Sequence, residues 1–285
     1  MRAIALKKVD VEVNDCWGIL RFGCNGHLDS ILLADLEIGL MQLLDDARVM
    51  AIVIVGFRPE VFGYGLDKRE LARLVEAGRG KTEEFLRRWG QLYLLLQNSS
   101  KPTLAAISGV CADAALELAL ACQYRVASKT ILMGFTEIFK GLISGLGGTQ
   151  RLPRLIGAKK AMLMMVGAGK KLANSRSALT DGLVDVVAED SLTAAASQFA
   201  IRVLAGRSGI SRIAPQDQEL DRADFMDGEL FDLSIDKPVA AMNSLIAAVR
   251  NGLDQKELTI ALEIELKEFL NCLFPVTISK ELSLK

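Results

Sequence analysis

The chain has 285 residues and a mass of 30.9 kDa, with hydrophobic residues at 51% and charged residues at 24%, a globular composition with ample core material. Its 34 Lys and Arg against 35 Asp and Glu leave a formal charge of -1, which argues against the basic excess of a nucleic-acid binder. A single histidine, His27, rules out a His-rich metal site; five scattered cysteines with no C-x-x-C pair fit a reducing, cytoplasmic setting rather than a disulfide scaffold.

The opening MRAIALKKVDVEV has no apolar run of a secretory signal. Residues 9–13 and 17–22 alternate as strands, with Asn14-Asp15 as the turn between them. Ser30 is placed to cap a helix whose Leu32, Leu33, Leu36, Leu40, Leu43 and Leu44 share one face. The continuous apolar run 51–55 predicts a strand buried on both faces, and a second such run, 103–107, follows Pro102. Between them lie a glycine-containing loop, Phe62-Gly63-Tyr64-Gly65, and a helical stretch over about 82–97.

The stretch 103–122, TLAAISGVCADAALELALAC, has the apolarity of a membrane span, but Asp113 and Glu117 would each cost roughly 2.5–3.5 kcal/mol at a bilayer centre. It is therefore read as a buried strand and helix, with no membrane contact. Strands and helices alternate to about residue 187, the rhythm of an α/β domain on a largely parallel sheet. Residues 206–236 are polar and acidic, and two helical patterns follow. In the last, Leu258, Leu262, Leu266 and Phe269 line one face, Ile260 and Ile264 widen it, and Glu263 and Lys267 form an i,i+4 pair. Such a helix packs on its own domain or meets another subunit. The chain thus divides into a core, 1–205, and a polar insertion with a C-terminal helical region, 206–285.

Two glutamates stand out for apolar surroundings: Glu117 in AALELAL and Glu137 in MGFTEIF. Apolar surroundings disfavour the charged carboxylate and raise its pKa toward the range useful for proton transfer, and two such groups can divide acid and base roles. The alternative is a pair of structural glutamates hydrogen-bonded to backbone. The glycine-rich segment GLISGLGGTQRL, 141–152, is neither a G-x-G-x-x-G fingerprint nor a P-loop, so it predicts a tight turn before a helix near Thr149 rather than a dinucleotide site.

From Lys101 to Leu152 the chain reads KPTLAAISGVCADAALELALACQYRVASKTILMGFTEIFKGLISGLGGTQRL without a gap against the pattern K-P-x-x-A-A-x-x-G-x-A-x-G-G-G-x-E-L-A, P-E and G-G-x-Q-R-L. It resembles the enoyl-CoA hydratase/isomerase, or crotonase, superfamily. The resemblance extends to Phe62-Gly63-Tyr64-Gly65-Leu66-Asp67, similar to F-x-A-G-x-D, and to Asp181-Gly182-Leu183-Val184-Asp185, covering roughly residues 10–205. The polar insertion and final helices resemble more weakly the hydratase domain of multifunctional fatty-acid oxidation proteins. The resemblance implies a spiral of ββα units and a C-terminal helical region that forms homotrimers or dimers of trimers.

For the site, the resemblance implies Glu117 and Glu137 as the catalytic pair acting on water and a trans-2-enoyl-CoA. The backbone N–H groups of Tyr64 and Ala114 would form the oxyanion hole; Gly65, Leu66 and Asp67 would lie beside the CoA, and Gly145 near the water. No metal or further cofactor is implied, since coenzyme A is part of the substrate. Several positions depart from the pattern: Asp113-Ala114-Ala115 for three glycines, Tyr64 for a small residue, Thr136 and Ser144 for prolines, and Gln123 for aspartate. The opening loop Gly23-Cys24-Asn25-Gly26-His27 also lacks the usual N-x-P-x-x-x-N pattern. The Asp113 charge and the added Ala114 methyl would crowd or repel a thioester. The alternatives to a hydratase are therefore an isomerase or other acyl-CoA chemistry, or an impaired acyl-CoA-binding paralogue. His27 reads as structural, Cys111 and Cys122 as buried thiols. Asp67 reads as a helix-start charge, and Arg58, Lys68 and Arg69 as a basic face or CoA-phosphate contacts.

Overall fold

A computed structural model describes residues 6–23, 26–56, 58–167, 172–206 and 238–275. The polar stretch from residue 207 and the loop residues 24 and 25 lie outside them. The chain order is β1 (Val9–Asn14), β2 (Trp17–Phe22), α1 (Ser30–Asp45), β3 (Ala51–Gly56), β4 (Val61–Gly63), α2 (Lys68–Ala77) and α3 (Arg79–Gln97). Next come β5 (Thr103–Ala112), α4 (Ala114–Ala121), β6 (Tyr124–Gly134), a 3-10 turn (Glu137–Lys140), α5 (Gly148–Ile156), α6 (Ala158–Gly167) and α7 (Ser175–Thr180). The order closes with β7 (Val186–Val187), α8 (Leu192–Leu204), α9 (Val239–Leu253) and α10 (Leu258–Leu273).

The strands form one sheet in the order β1-β2-β3-β5-β6-β7, with β4 paired to the far half of β5. Only β1 and β2 run antiparallel; β2 to β7 pair in parallel. The two-sided burial expected of run 51–55 follows from its alternation: Ile52 and Ile54 face the main core, whereas Val53 and Val55 face a second layer with Leu104, Ala106 and Phe199 of α8. β5 is longer than its apolar run because Gly109, at φ +57, bends it past β4; a Cβ there would lie 1.8 Å from the Glu60 carbonyl. The apparent membrane span is thus β5 and α4, and no helix among the described residues is long and apolar enough to cross a membrane.

Three local expectations change. The turn after β1 sits at Asp15, in the left-handed region at φ +52, with Asn14 still in the strand. The cap of α1 is Asp29, whose carboxylate accepts from Leu32 N–H at 2.9 Å, so Ser30 is the first helical residue. Glu263 does not pair along its helix: its carboxylate takes two hydrogen bonds from Arg87, at 2.6 and 2.8 Å, fastening α10 to α3. Leu245 and Ala248 of α9 and Leu266, Phe269 and Leu270 of α10 join the main core cluster. The C-terminal helices therefore pack on their own chain, and α10 reaches the site described next.

Candidate active site

The site begins at the junction of β5 and α4. Asp113 turns the chain there at φ +52 and ψ -128, a conformation that favours glycine. Its cost is offset locally: the Asp113 carboxylate accepts from Thr136 N–H at 2.6 Å, Thr136 Oγ1 at 2.7 Å and Lys140 Nζ at 3.2 Å. Two departures from the family pattern therefore explain one another. A proline at 136 could not supply the N–H, and the Asp113 charge expected to repel a thioester is already met by Lys140. The Ala115 methyl is likewise accommodated, because Gly63 opposite it has no side chain; a Cβ there would lie 2.7 Å from the Ala115 Cβ.

Glu117, one turn into α4, is 1% exposed. Its Oε1 accepts from the backbone N–H groups of Leu146 and Gly148, both at 2.8 Å. Burial, and next the Glu265 carboxylate, push its pKa well above the usual carboxylate range; the two N–H donors and Arg151 oppose the shift. Glu137 opens the 3-10 turn and is half-buried, accepting from Ser144 Oγ at 3.3 Å. Burial, then Asp113 and Glu117, push its pKa up as well, against Lys140 and the Ser144 hydroxyl. The two glutamates meet around Ser144: a Cβ built on Gly148 would lie 2.7 Å from Ser144 Oγ and 3.0 Å from Glu117 Oε1. Ser144, like Thr136, replaces a proline with a hydrogen-bonding group.

Glu137 faces a cavity of about 450 Å³, lined also by His27, Tyr64, Leu66, Asp113 and Phe269. The loop after β4 forms one wall. Asp67 caps α2 through Arg69 and Glu70 N–H at 2.9 and 3.0 Å, as expected of a helix-start carboxylate. The oxyanion-hole assignment needs one correction. The Tyr64 N–H donates to the Gly26 carbonyl at 2.6 Å and is engaged. Leu66 pairs in parallel with Leu28, through Leu28 N–H to Gly65 O at 3.1 Å and Asp67 N–H to Leu28 O at 2.8 Å. In that pairing the Leu66 N–H points away from its partner segment. The N–H groups of Leu66 and Ala114 have no acceptor among the described residues, and their segments are tied by Ala115 N–H to Tyr64 O at 2.8 Å. Tyr93 of α3 secures the other side, donating to the Ala114 carbonyl at 2.8 Å.

Gly145 lies beneath the Phe269 ring, where a Cβ would lie 2.5 Å from the ring carbon, and borders a second cavity of about 410 Å³ between α3 and α10. Gln123 donates to the carbonyls of Gln97 and Ser99, which an aspartate could not do. His27 stacks against Tyr64 with ring centroids 5.3 Å apart, as part of the cavity wall. Cys111 and Cys122 are buried, their thiols pushed up by burial, the latter to about 12. Sequence reasoning missed Glu265 and Phe269, which the α10 pattern shows only as face positions. Among the described residues no cluster of His, Cys, Asp and Glu could hold a metal ion.

The site lies within a chain whose residues 25–216 match the pattern of the enoyl-CoA hydratase/isomerase family. A 163-residue stretch is 37% identical to a probable enoyl-CoA hydratase of Bacillus subtilis, covering 57% of this chain and 61% of that protein. A 155-residue stretch is 38% identical to a fatty acid oxidation complex subunit alpha of Shewanella loihica, covering 54% of this chain but 21% of that longer protein. Among solved structures, an enoyl-CoA hydratase/isomerase from Xanthobacter autotrophicus superposes with a TM-score of 0.70 at 23% identity, over 94% of this chain and 88% of that one. The fold is the mixed α/β crotonase fold. The chain belongs to the enoyl-CoA hydratase/isomerase family.

Proposed function

We propose that the protein adds water across the C2–C3 double bond of a trans-2-enoyl-CoA, in fatty-acid oxidation. The observation that carries the reading is the convergence of two carboxylates with raised proton affinity, Glu117 and Glu137, around Ser144 beside two backbone N–H groups that have no acceptor among the described residues. Glu117, with Oε1 fixed by backbone, uses its other oxygen to take a proton from water as the hydroxyl adds to C3. A carboxylate whose proton affinity is raised is the stronger base. Glu137 delivers its proton to C2, so one proton enters and one leaves the carboxylate pair. The thioester oxygen gains charge as this happens and is met by the Leu66 and Ala114 N–H groups; one such donor contributes about 2.7–4 kcal/mol in comparable sites. Carboxylates and amides suffice, with coenzyme A as part of the substrate.

Simple double-bond shift needs one proton-transfer group, whereas both are present here, which favours hydration over isomerisation. Incubation with a trans-2-enoyl-CoA in oxygen-18 water, followed by mass spectrometry, tests this. We expect a 3-hydroxyacyl product labelled at C3. An isomerised product without label, or binding of enoyl-CoA of every chain length without conversion, overturns the reading.

A further inference from the structure

The turn before α5 presents its backbone N–H groups alternately to two carboxylates. Leu146 and Gly148 donate to Glu117, while Gly147 and Thr149 donate to Glu265 of α10, the latter at 2.7 Å; the Thr149 hydroxyl donates to Glu265 as well. Gly147 makes the alternation possible at φ +109, where a Cβ would lie 1.6 Å from the Arg151 guanidinium. Glu265 is 1% exposed and lies more than a hundred residues along the chain from the turn it holds. We propose that Glu265 is a positioning residue for Glu117, holding the turn that carries Glu117's donors and, through its own charge, governing when Glu117 releases its proton.

The charged and titratable groups around the pair are few. Arg151 and Arg154 face it from α5, and Tyr93 faces Glu117 from α3; Glu137 also interacts electrostatically with Glu117. Arg151 is buried, and it donates to Gln97 Oε1 at 2.9 Å and to the Leu146 carbonyl at 3.0 Å. From α3, Arg87 is drawn off by Glu263 and Glu83. Glu265 has three donors and Glu117 two; burial lifts the Glu265 pKa to about 7, and the Glu265 charge in turn raises that of Glu117.

The inference rests on the hydratase reading for its catalytic meaning, but its test does not require turnover. In protein labelled with carbon-13 at glutamate carboxyls, the Glu117 resonance is assigned by its loss in Glu117→Gln and followed against pH. In Glu265→Gln, whose single amide oxygen can still accept from Gly147 or from Thr149 but not from both, we expect the Glu117 inflection to fall by about one pH unit or more, a tenfold change in proton affinity. The acid limb of kcat/KM is expected to move down by the same amount, with KM nearly unchanged. Thr149→Val removes one donor to Glu265 and is expected to move the inflection the same way by less; it carries the test where Glu265→Gln does not fold. An unmoved Glu117 inflection, with activity reduced uniformly across pH, overturns the inference. A moved inflection in a protein that does not hydrate enoyl-CoA upholds it while the hydratase reading fails.

Discussion

Glu117 and Glu137 are both drawn toward the protonated form, yet their surroundings are built from different material. Glu117 sits in a helix between β5 and β6, closed to solvent, and its fixed partners are the N–H groups of Leu146 and Gly148. Glu137 stands on a short turn at the cavity, and side chains make its surroundings: Ser144 as donor, with Asp113 and Lys140 acting on it electrostatically. Three of the departures from the family pattern, Asp113, Thr136 and Ser144, fall around Glu137 and hydrogen-bond to one another or to it. Backbone donors survive any substitution but proline, so a site made by backbone constrains few residue identities. A site made by side chains can be rebuilt, provided the partners change together.

The largest effects are expected at the carboxyls themselves. Glu117→Gln keeps an acceptor for Leu146 and Gly148 but cannot take a proton; steady-state hydration is expected to fall by about 10²–10⁴-fold while the fold is retained by circular dichroism. The next largest effect is on stability. Folded Glu265 keeps its proton to about 7, whereas the unfolded chain releases it near 4.5, so stability falls as pH rises through that window. Urea unfolding midpoints should therefore decline between those pH values, and Glu265→Gln should flatten the decline by on the order of 3 kcal/mol.

Around Glu137 the expected effects are smaller. A double-mutant cycle of Asp113→Gly with Thr136→Val should give a coupling of about 1–2 kcal/mol in unfolding free energy, because each change alone strands the other's partner. Additive losses would mean the two departures are unrelated. Ser144→Ala removes the hydroxyl that holds the Glu137 pKa down, so the pH–rate inflection belonging to Glu137 should move up. The Glu117 inflection should stay in place.

The parts of this arrangement that follow from local pattern were legible in the sequence. Run 51–55 read as a doubly buried strand, Asp67 as a helix start, the 141–152 glycines as a turn before a helix, and the two glutamates as isolated in apolar segments. What the sequence concealed depends on register and on distant pairing. The exchange of Tyr64 for Leu66 as the free N–H rests on how one loop pairs with residues 26–28, which spacing alone does not show. Asp113 looked obstructive because its partners Thr136 and Lys140 are more than twenty residues away. Glu265 was invisible for the same reason: on a helix pattern it is one more polar position, and only packing carries it to the turn before α5.

The central claim, that two glutamates share one water addition, is tested most directly by following loss of the enoyl-thioester absorbance with wild type, Glu117→Gln, Glu137→Gln and the double variant. Groups that act on one step lose their contributions together. Wild type should remove the absorbance rapidly, either single variant should be slower by at least about 10²-fold, and the double should lose little more. Wild type without hydration, or a single variant that keeps full activity, would contradict it.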